Sequence, residues 1–171
     1  MLQGDEKALQ AVPDFIGIQN YTREVVKHSY FTPYINSSLI SAKNRVNEVT
    51  DMEWEVYPQA MHETLHQFSK YKAKKIYVTE NGAAFPDTVV DGKVHDPKRK
   101  NYLQSNIAEI LKAKSEGVNV EGYFVWSFTD NFEWAEGYRP RFGLVHVNYE
   151  TQKRIIKESG HWYSDFLANH H

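Results

Sequence analysis

Apolar residues along the chain gather in short runs, each followed by a polar cluster and then by a segment with helical spacing. Phe15-Ile16-Gly17-Ile18 is the first run, entered through Pro13-Asp14 and left through Gln19-Asn20-Tyr21-Thr22-Arg23. An irregular stretch with Pro33, Asn36 and Ser37-Ser38 as breakers follows to about Pro58, which starts a helix striped by Met61, Leu65 and Phe68. Lys75-Ile76-Tyr77-Val78 is the second run, ended by Thr79-Glu80-Asn81-Gly82. Asp96-Pro97 caps a second helix whose stripe is Tyr102, Leu103, Ile107, Ile110, Leu111 and Ala113, and Gly117 stops it. Gly122-Tyr123-Phe124-Val125-Trp126 is the third run, apolar throughout, as a strand covered on both faces is. Leu144-Val145-His146-Val147 is a further short strand, and Thr151 begins the last helix, through Ile155, Ile156, Trp162, Tyr163 and Phe166. Strand alternating with helix predicts parallel β/α units. Each main strand turns polar at its C-terminal end, where such folds place their chemistry.

The composition is that of a folded domain, with 41% apolar and 25% charged residues. Twenty basic against 22 acidic residues leave a net charge of −2, which points to neither nucleic acid nor an anionic membrane as partner. The chain has no cysteine, which excludes a disulfide framework, a thiol nucleophile and a thiolate metal site. The opening MLQGDEKALQ shows no leader pattern, so a cytoplasmic setting is expected and the sequons at Asn20 and Asn36 are read as coincidental. At 171 residues the length by itself suggests one small domain.

Two segments carry candidate chemistry. Val78-Thr79-Glu80-Asn81-Gly82 places a carboxylate at a strand end, where a rigid backbone can aim a nucleophile, a base or a metal ligand. Trp126-Ser127-Phe128-Thr129-Asp130-Asn131-Phe132-Glu133-Trp134 alternates aromatic faces with carboxylates and an amide. Sugars need that combination, since their C–H faces stack on indoles while their hydroxyls take charge-assisted hydrogen bonds.

Four blocks in order resemble family 1 glycoside hydrolases, the β-glucosidase and β-galactosidase family, in its C-terminal part. They are residues 14–23, residues 78–82, residues 122–134, and Arg141-Phe142-Gly143-Leu144-Val145 running on through Tyr149-Glu150-Thr151-Gln152-Lys153-Arg154. The resemblance implies an α/β fold, the C-terminal segment of a (β/α)8 barrel. Residues 1–171 would be a partial barrel domain holding strands six to eight and their helices. It implies an enzyme, a retaining β-glycoside hydrolase without cofactor or metal, acting on a β-glucoside or related β-glycoside. Glu80 matches the nucleophile and Tyr21 the tyrosine that orients it. Gln19 stands where many members have asparagine and can make the same amide contacts. Glu133 matches the carboxylate that holds sugar hydroxyls. Trp126 and Trp134 match the tryptophans of that subsite, Phe142 a nearby aromatic wall, and Trp54 the wall of the leaving-group subsite. Glu53 replaces a common glycine before Trp54, and Arg139-Pro140 replaces a frequent Ser-Lys pair.

Retaining hydrolysis needs a second carboxyl roughly 5–5.5 Å from the nucleophile. The family's Asn-Glu-Pro acid/base block does not occur in these residues. The in-chain candidates for that role are Glu133, Asp130 and Glu136. The alternatives are a fragment that needs an N-terminal half, or a sugar-binding remnant without catalysis. Unpaired strand edges predict self-association or pairing with such a half.

His62-Glu63-Thr64-Leu65-His66 matches the H-E-x-x-H zinc-protease pattern and offers a zinc hydrolase as a remote alternative. The pattern is short, the third-ligand extension is replaced by Gln67-Phe68-Ser69-Lys70, and the apolar stripe of this helix would turn it against the strands. Lys98-Arg99-Lys100 reads as a solvated helix start. His170-His171 reads as a tag remnant or a frayed end.

Overall fold

The computed structural model describes residues 12–170 apart from 46 and 72, so the amino-terminal segment and His171 lie outside the described residues. Three strands, β1 (Ile16–Gln19), β4 (Ile76–Asn81) and β7 (Val120–Val125), form one parallel sheet in the order β1-β4-β7. Helix α1 (Gln59–Phe68) connects β1 to β4, α2 (Pro97–Ser115) connects β4 to β7, and α3 (Glu158–Asn169) follows β7. The expected succession of parallel β/α units is therefore present.

The core lies between one sheet face and the helices. Ile18, Ile76, Val78 and Val120 point to that face and pack against Met61 and Leu65 of α1 and Ile110 and Ala113 of α2. A second cluster joins Phe85, Tyr102, Leu103 and Leu144, with Trp162 and Tyr163 of α3 against it. Among the described residues no helix lies on the opposite face, and Phe124 of β7 is 58% exposed there. By the described residues the third strand is thus covered on one face and not on both. Its all-apolar composition does not distinguish a face covered by this chain's helices from one that needs other strands.

Several boundaries differ from the sequence pattern. β4 continues through Thr79, Glu80 and Asn81, because Glu80 pairs with Gln19 of β1 and Asn81 with Val125 of β7. Part of the stretch before Pro58 is a small antiparallel hairpin, β2 (Val26–His28) with β3 (Ser37–Leu39), followed by a 3-10 turn at Ala42–Asn44. The loop after Gly82 holds the short pair β5 (Val89–Val90) and β6 (Lys93–Val94). The last helix begins at Glu158 and not at Thr151, since β8 (Val145–Val147) pairs antiparallel with β9 (Arg154–Ile156) and draws Ile155 and Ile156 into the hairpin. Asp96 stands at the N-cap of α2 without capping it by its side chain. Its Oδ1 accepts the Ser159 N–H at 2.8 Å and its Oδ2 accepts the Ser159 hydroxyl at 2.5 Å, which ties the start of α2 to the start of α3. The basic run is not uniformly solvated either. Arg99 is 1% exposed and donates to the carbonyls of Ala83 and Phe85, both at 3.2 Å.

Candidate active site

Glu80 sits near the C-terminal end of the central strand, flanked by β1 and β7. Both its carboxylate oxygens are held from the end of β1. Gln19 Nε2 donates to Oε1 at 2.7 Å, and the Tyr21 hydroxyl donates to Oε2 at 2.8 Å. Burial, with the hydrogen bond to Glu80 after it, pushes the Tyr21 phenol far above its usual pKa, so this hydroxyl keeps its proton and serves as a fixed donor. The charge of Glu133 acts on Tyr21 in the same direction, which sets both carboxylates around one phenol. The Tyr21 ring lies 5.2 Å from Trp54 and 6.3 Å from Phe142, and Trp54 lies 6.1 Å from Phe142. The structure thus gathers Gln19, Tyr21, Trp54, Phe142 and Glu80 into one constellation.

The support beneath Glu80 is Asn81, which the sequence pattern passed over. Its side chain is fully buried, donates to the Asn20 carbonyl at 2.7 Å and to the Tyr102 hydroxyl at 3.0 Å, and accepts from the Tyr123 hydroxyl at 2.7 Å. Tyr102 in turn donates to the Tyr21 carbonyl at 2.9 Å. One amide therefore joins β1, β4, β7 and α2 at the residue after Glu80. Its one signal in the sequence was an amide directly after Glu80 at the polar end of the strand. Gly82 follows because the chain passes so close to Trp126 that a Cβ would lie 1.7 Å from its carbonyl oxygen.

The loop after β7 carries the second constellation. Trp126 Nε1 donates to Glu133 Oε1 at 3.0 Å, and Asn131 Nδ2 donates to the same oxygen at 2.7 Å. Trp126 is joined to β4 by its N–H, which donates to the Asn81 carbonyl at 2.9 Å. Trp134, expected in the same subsite as Trp126, is 90% exposed. Among the three in-chain acid/base candidates, Asp130 points away into a buried network. It accepts from the Gly143 N–H at 3.0 Å, Arg141 at 3.0 Å and Lys157 at 2.8 Å. Glu136 is paired with Arg139 on the surface. Glu133 is occupied by Trp126 and Asn131.

Two ionic clusters that the sequence did not announce hold the loops of the site. Glu55, next to Trp54, is buried and takes a two-point grip from Arg23, through Nε at 2.9 Å and Nη2 at 3.1 Å, with Asn47 at 2.6 Å and Arg45 also on it. Arg23 lies over the Tyr57 ring. The bonds from Arg23, then from Asn47, hold the Glu55 carboxyl below its usual pKa against the opposing effect of burial. Lys157, 0% exposed, is placed between Asp87 and Asp130, with Arg99 also bonded to Asp87. Asp87, Asp130 and His146 lie within reach of a common point, but the Lys157 ammonium already supplies the cation there. Nothing in the local sequence distinguishes Lys157 from a solvated lysine. Among the described residues no helix is long and apolar enough to cross a membrane.

Comparison with known proteins extends the reading. β-Glucosidase A of Thermotoga maritima is 45% identical over 167 residues, covering 96% of this chain and 36% of its own length. A 6-phospho-β-galactosidase of Clostridium acetobutylicum is 38% identical, covering 88% of this chain and 35% of itself. The solved β-glucosidase of Thermotoga maritima in complex with deoxynojirimycin superposes with a TM-score of 0.91 at 43% identity, over 98% of this chain and 37% of that one. The chain therefore spans somewhat over a third of the relatives it matches. The sequence model of Glycosyl hydrolase family 1 matches residues 1–171. With that match over its whole length, the chain belongs to glycosyl hydrolase family 1 and carries part of the family's (β/α)8 barrel.

Proposed function

We propose that the chain supplies the nucleophile and half of the sugar subsite of a retaining β-glycosidase of the β-glucosidase type, with β1, β4 and β7 as strands six to eight of the barrel. The observation that carries this is the hold on Glu80, one donor on each carboxylate oxygen from the adjacent strand end. Two donors fix the direction in which the carboxylate points, which a glycosyl nucleophile needs. Glu80 attacks the anomeric carbon, the bond to the leaving oxygen breaks, and an acid delivers the proton to that oxygen. Water then opens the glycosyl ester with the same group acting as base. Glu133, fixed by Trp126 and Asn131, accepts from sugar hydroxyls, while Trp126, Trp134, Trp54 and Phe142 provide ring faces. The acid/base comes from barrel units outside these 171 residues. This rests on the missing Asn-Glu-Pro block and on the other engagements of Asp130, Glu133 and Glu136.

A leaving group that departs without a proton separates the nucleophile from the missing acid. The chain is mixed with the segment of the Thermotoga maritima enzyme that precedes the aligned region, and treated with 2,4-dinitrophenyl 2-deoxy-2-fluoro-β-glucoside. Intact-mass and peptide mapping are expected to find one fluoroglucosyl group on Glu80, and none on E80Q. A label on another carboxylate, or equal labelling of E80Q, overturns the assignment. The same mixture tests the partner reading. β1 and β7 are the edges of the sheet, and Phe15 and Phe124 lie exposed on them or beside them. The chain alone is expected to scatter light as an assembly larger than one copy, and to become a one-to-one pair when the complementary segment is added. A chain that stays monomeric at micromolar concentration in both cases contradicts it.

A further inference from the structure

The histidines of the H-E-x-x-H motif meet a third group that the sequence did not offer. Helix α1 turns Met61 and Leu65 into the core, which leaves His62 and His66, one turn apart, on its half-open flank. Helix α2 packs beside α1, and Glu116 ends it, its N–H accepted by the Lys112 and Ala113 carbonyls. Gly117 follows in the left-handed region at φ 99°, where the chain turns back toward β7. His62 Nε2 lies 2.6 Å and His66 Nε2 2.7 Å from the same oxygen, Glu116 Oε2. The two imidazole centroids are 4.5 Å apart, and the three possible ligand atoms all lie within 4.8 Å of one another. Among the described residues these two histidines are the ion-pair partners of Glu116.

We infer that His62, His66 and Glu116 form a binding site for one divalent transition cation of the zinc class, which clasps α1 to the end of α2. Two imidazole nitrogens at i and i+4 with one carboxylate oxygen is a donor set zinc accepts, at about 2.0–2.2 Å per bond. Side-chain rotation on this open flank provides the small retreat of Glu116 that admits the ion, and water completes the shell. The carbonyl end of α2 adds partial negative charge at the same place. Hard cations such as Mg²⁺ and Ca²⁺ prefer all-oxygen shells and do not fit two imidazoles. The site is a clasp and not a second catalytic centre. Glu63, the base position of the protease motif, is exposed and is not one of the converging groups. Glu116 lies four residues before Val120, the first residue of β7, whereas Glu80 lies next to the last residue of β4, so the two are toward opposite ends of the parallel strands. The inference is independent of the glycosidase reading, and it replaces the expectation of no metal for this chain.

The test is titration of the chelator-stripped chain with zinc chloride at pH 7.5 by calorimetry, with cobalt(II) absorbance as a second probe. One saturable equivalent is expected. H62A and H66Q each weaken it by more than the roughly tenfold that loss of an outer-shell partner costs. E116Q weakens it too, and H170A leaves it unchanged. Zinc raises the melting temperature of the unaltered chain and not that of H62A. Both histidine positions are partly solvent-exposed, and circular dichroism checks that the variants fold. Binding that survives H62A and H66Q, disappears with H170A, or is matched by Mg²⁺ overturns the proposal, as does the absence of a saturable equivalent.

Discussion

Asn81→Leu is the substitution that tests most directly how the site is held. Leucine fills nearly the same volume and adds apolar surface, so a purely packing account expects little loss. The hydrogen bonds say otherwise. The Asn20 carbonyl and the Tyr123 hydroxyl lose the partners they find at 2.7 Å in each case. Tyr102 keeps its bond to the Tyr21 carbonyl at 2.9 Å and loses only an acceptor role. Two half-buried polar groups are therefore orphaned, at about 1–3 kcal/mol each. Allowing for what the added apolar group returns, the net loss is about 2–4 kcal/mol, a large fraction of an ordinary domain's stability. For a chain of this size that lowers the melting temperature by roughly 5–15 °C. Tyr123→Phe orphans only the side-chain oxygen Oδ1 of Asn81 and costs about 1–2 kcal/mol. The double variant costs less than the sum, because the phenol that N81L strands is no longer there. Urea and thermal denaturation followed by circular dichroism measure all three. An N81L chain within about 0.5 kcal/mol of the unaltered one, or strict additivity in the cycle, refutes the reasoning.

Three further outcomes follow from the same geometry. Tyr21→Phe removes a charge-assisted bond worth about 1.5–3 kcal/mol, so fluoroglucosyl labelling of Glu80 slows roughly tenfold to a hundredfold while stability holds, because the ring keeps its contacts with Trp54 and Phe142; an unchanged labelling rate contradicts the positioning role. Glu55 has a lowered carboxyl pKa in the folded chain, mainly through Arg23, so its stabilisation is complete above the unfolded value and is lost as pH falls toward the folded one. Melting temperatures measured from about pH 6 down to 3 then fall more steeply for the unaltered chain than for E55Q, and parallel curves would sink that account. Lys157→Met leaves Asp87 and Asp130 buried without the ammonium between them and costs about 3–5 kcal/mol, read as a fall in the denaturation midpoint; a neutral effect would show that the network contributes nothing net.

Much of the fold was legible because its causes are local. The apolar run at residues 76–78 and the stripe of Met61 and Leu65 report burial directly, and they predicted the parallel β/α units that form the sheet. The positions of Glu80, Tyr21 and Glu133 were legible as blocks of sequence. The errors arose where a distant segment intervened. Ile155 and Ile156 carry helix-compatible spacing, but pairing with β8 decides their conformation. Lys98-Arg99-Lys100 looks solvated, but Arg99 is taken inside by carbonyls of the loop after β4.

The sequence by itself determined the family, the strand-helix order and the carboxylate at the strand end, since each depends on residue type and spacing along the chain. Only the tertiary structure decided that Asn81 joins three strands and a helix beneath Glu80, that Lys157 is a buried counter-ion, and that Glu116 closes on His62 and His66. The physical reason is the same each time. A polar side chain's partner is chosen by what folding brings within about 3 Å of it. The segments concerned lie 54 residues apart for His62 and Glu116, and 61 apart for Asn20 and Asn81.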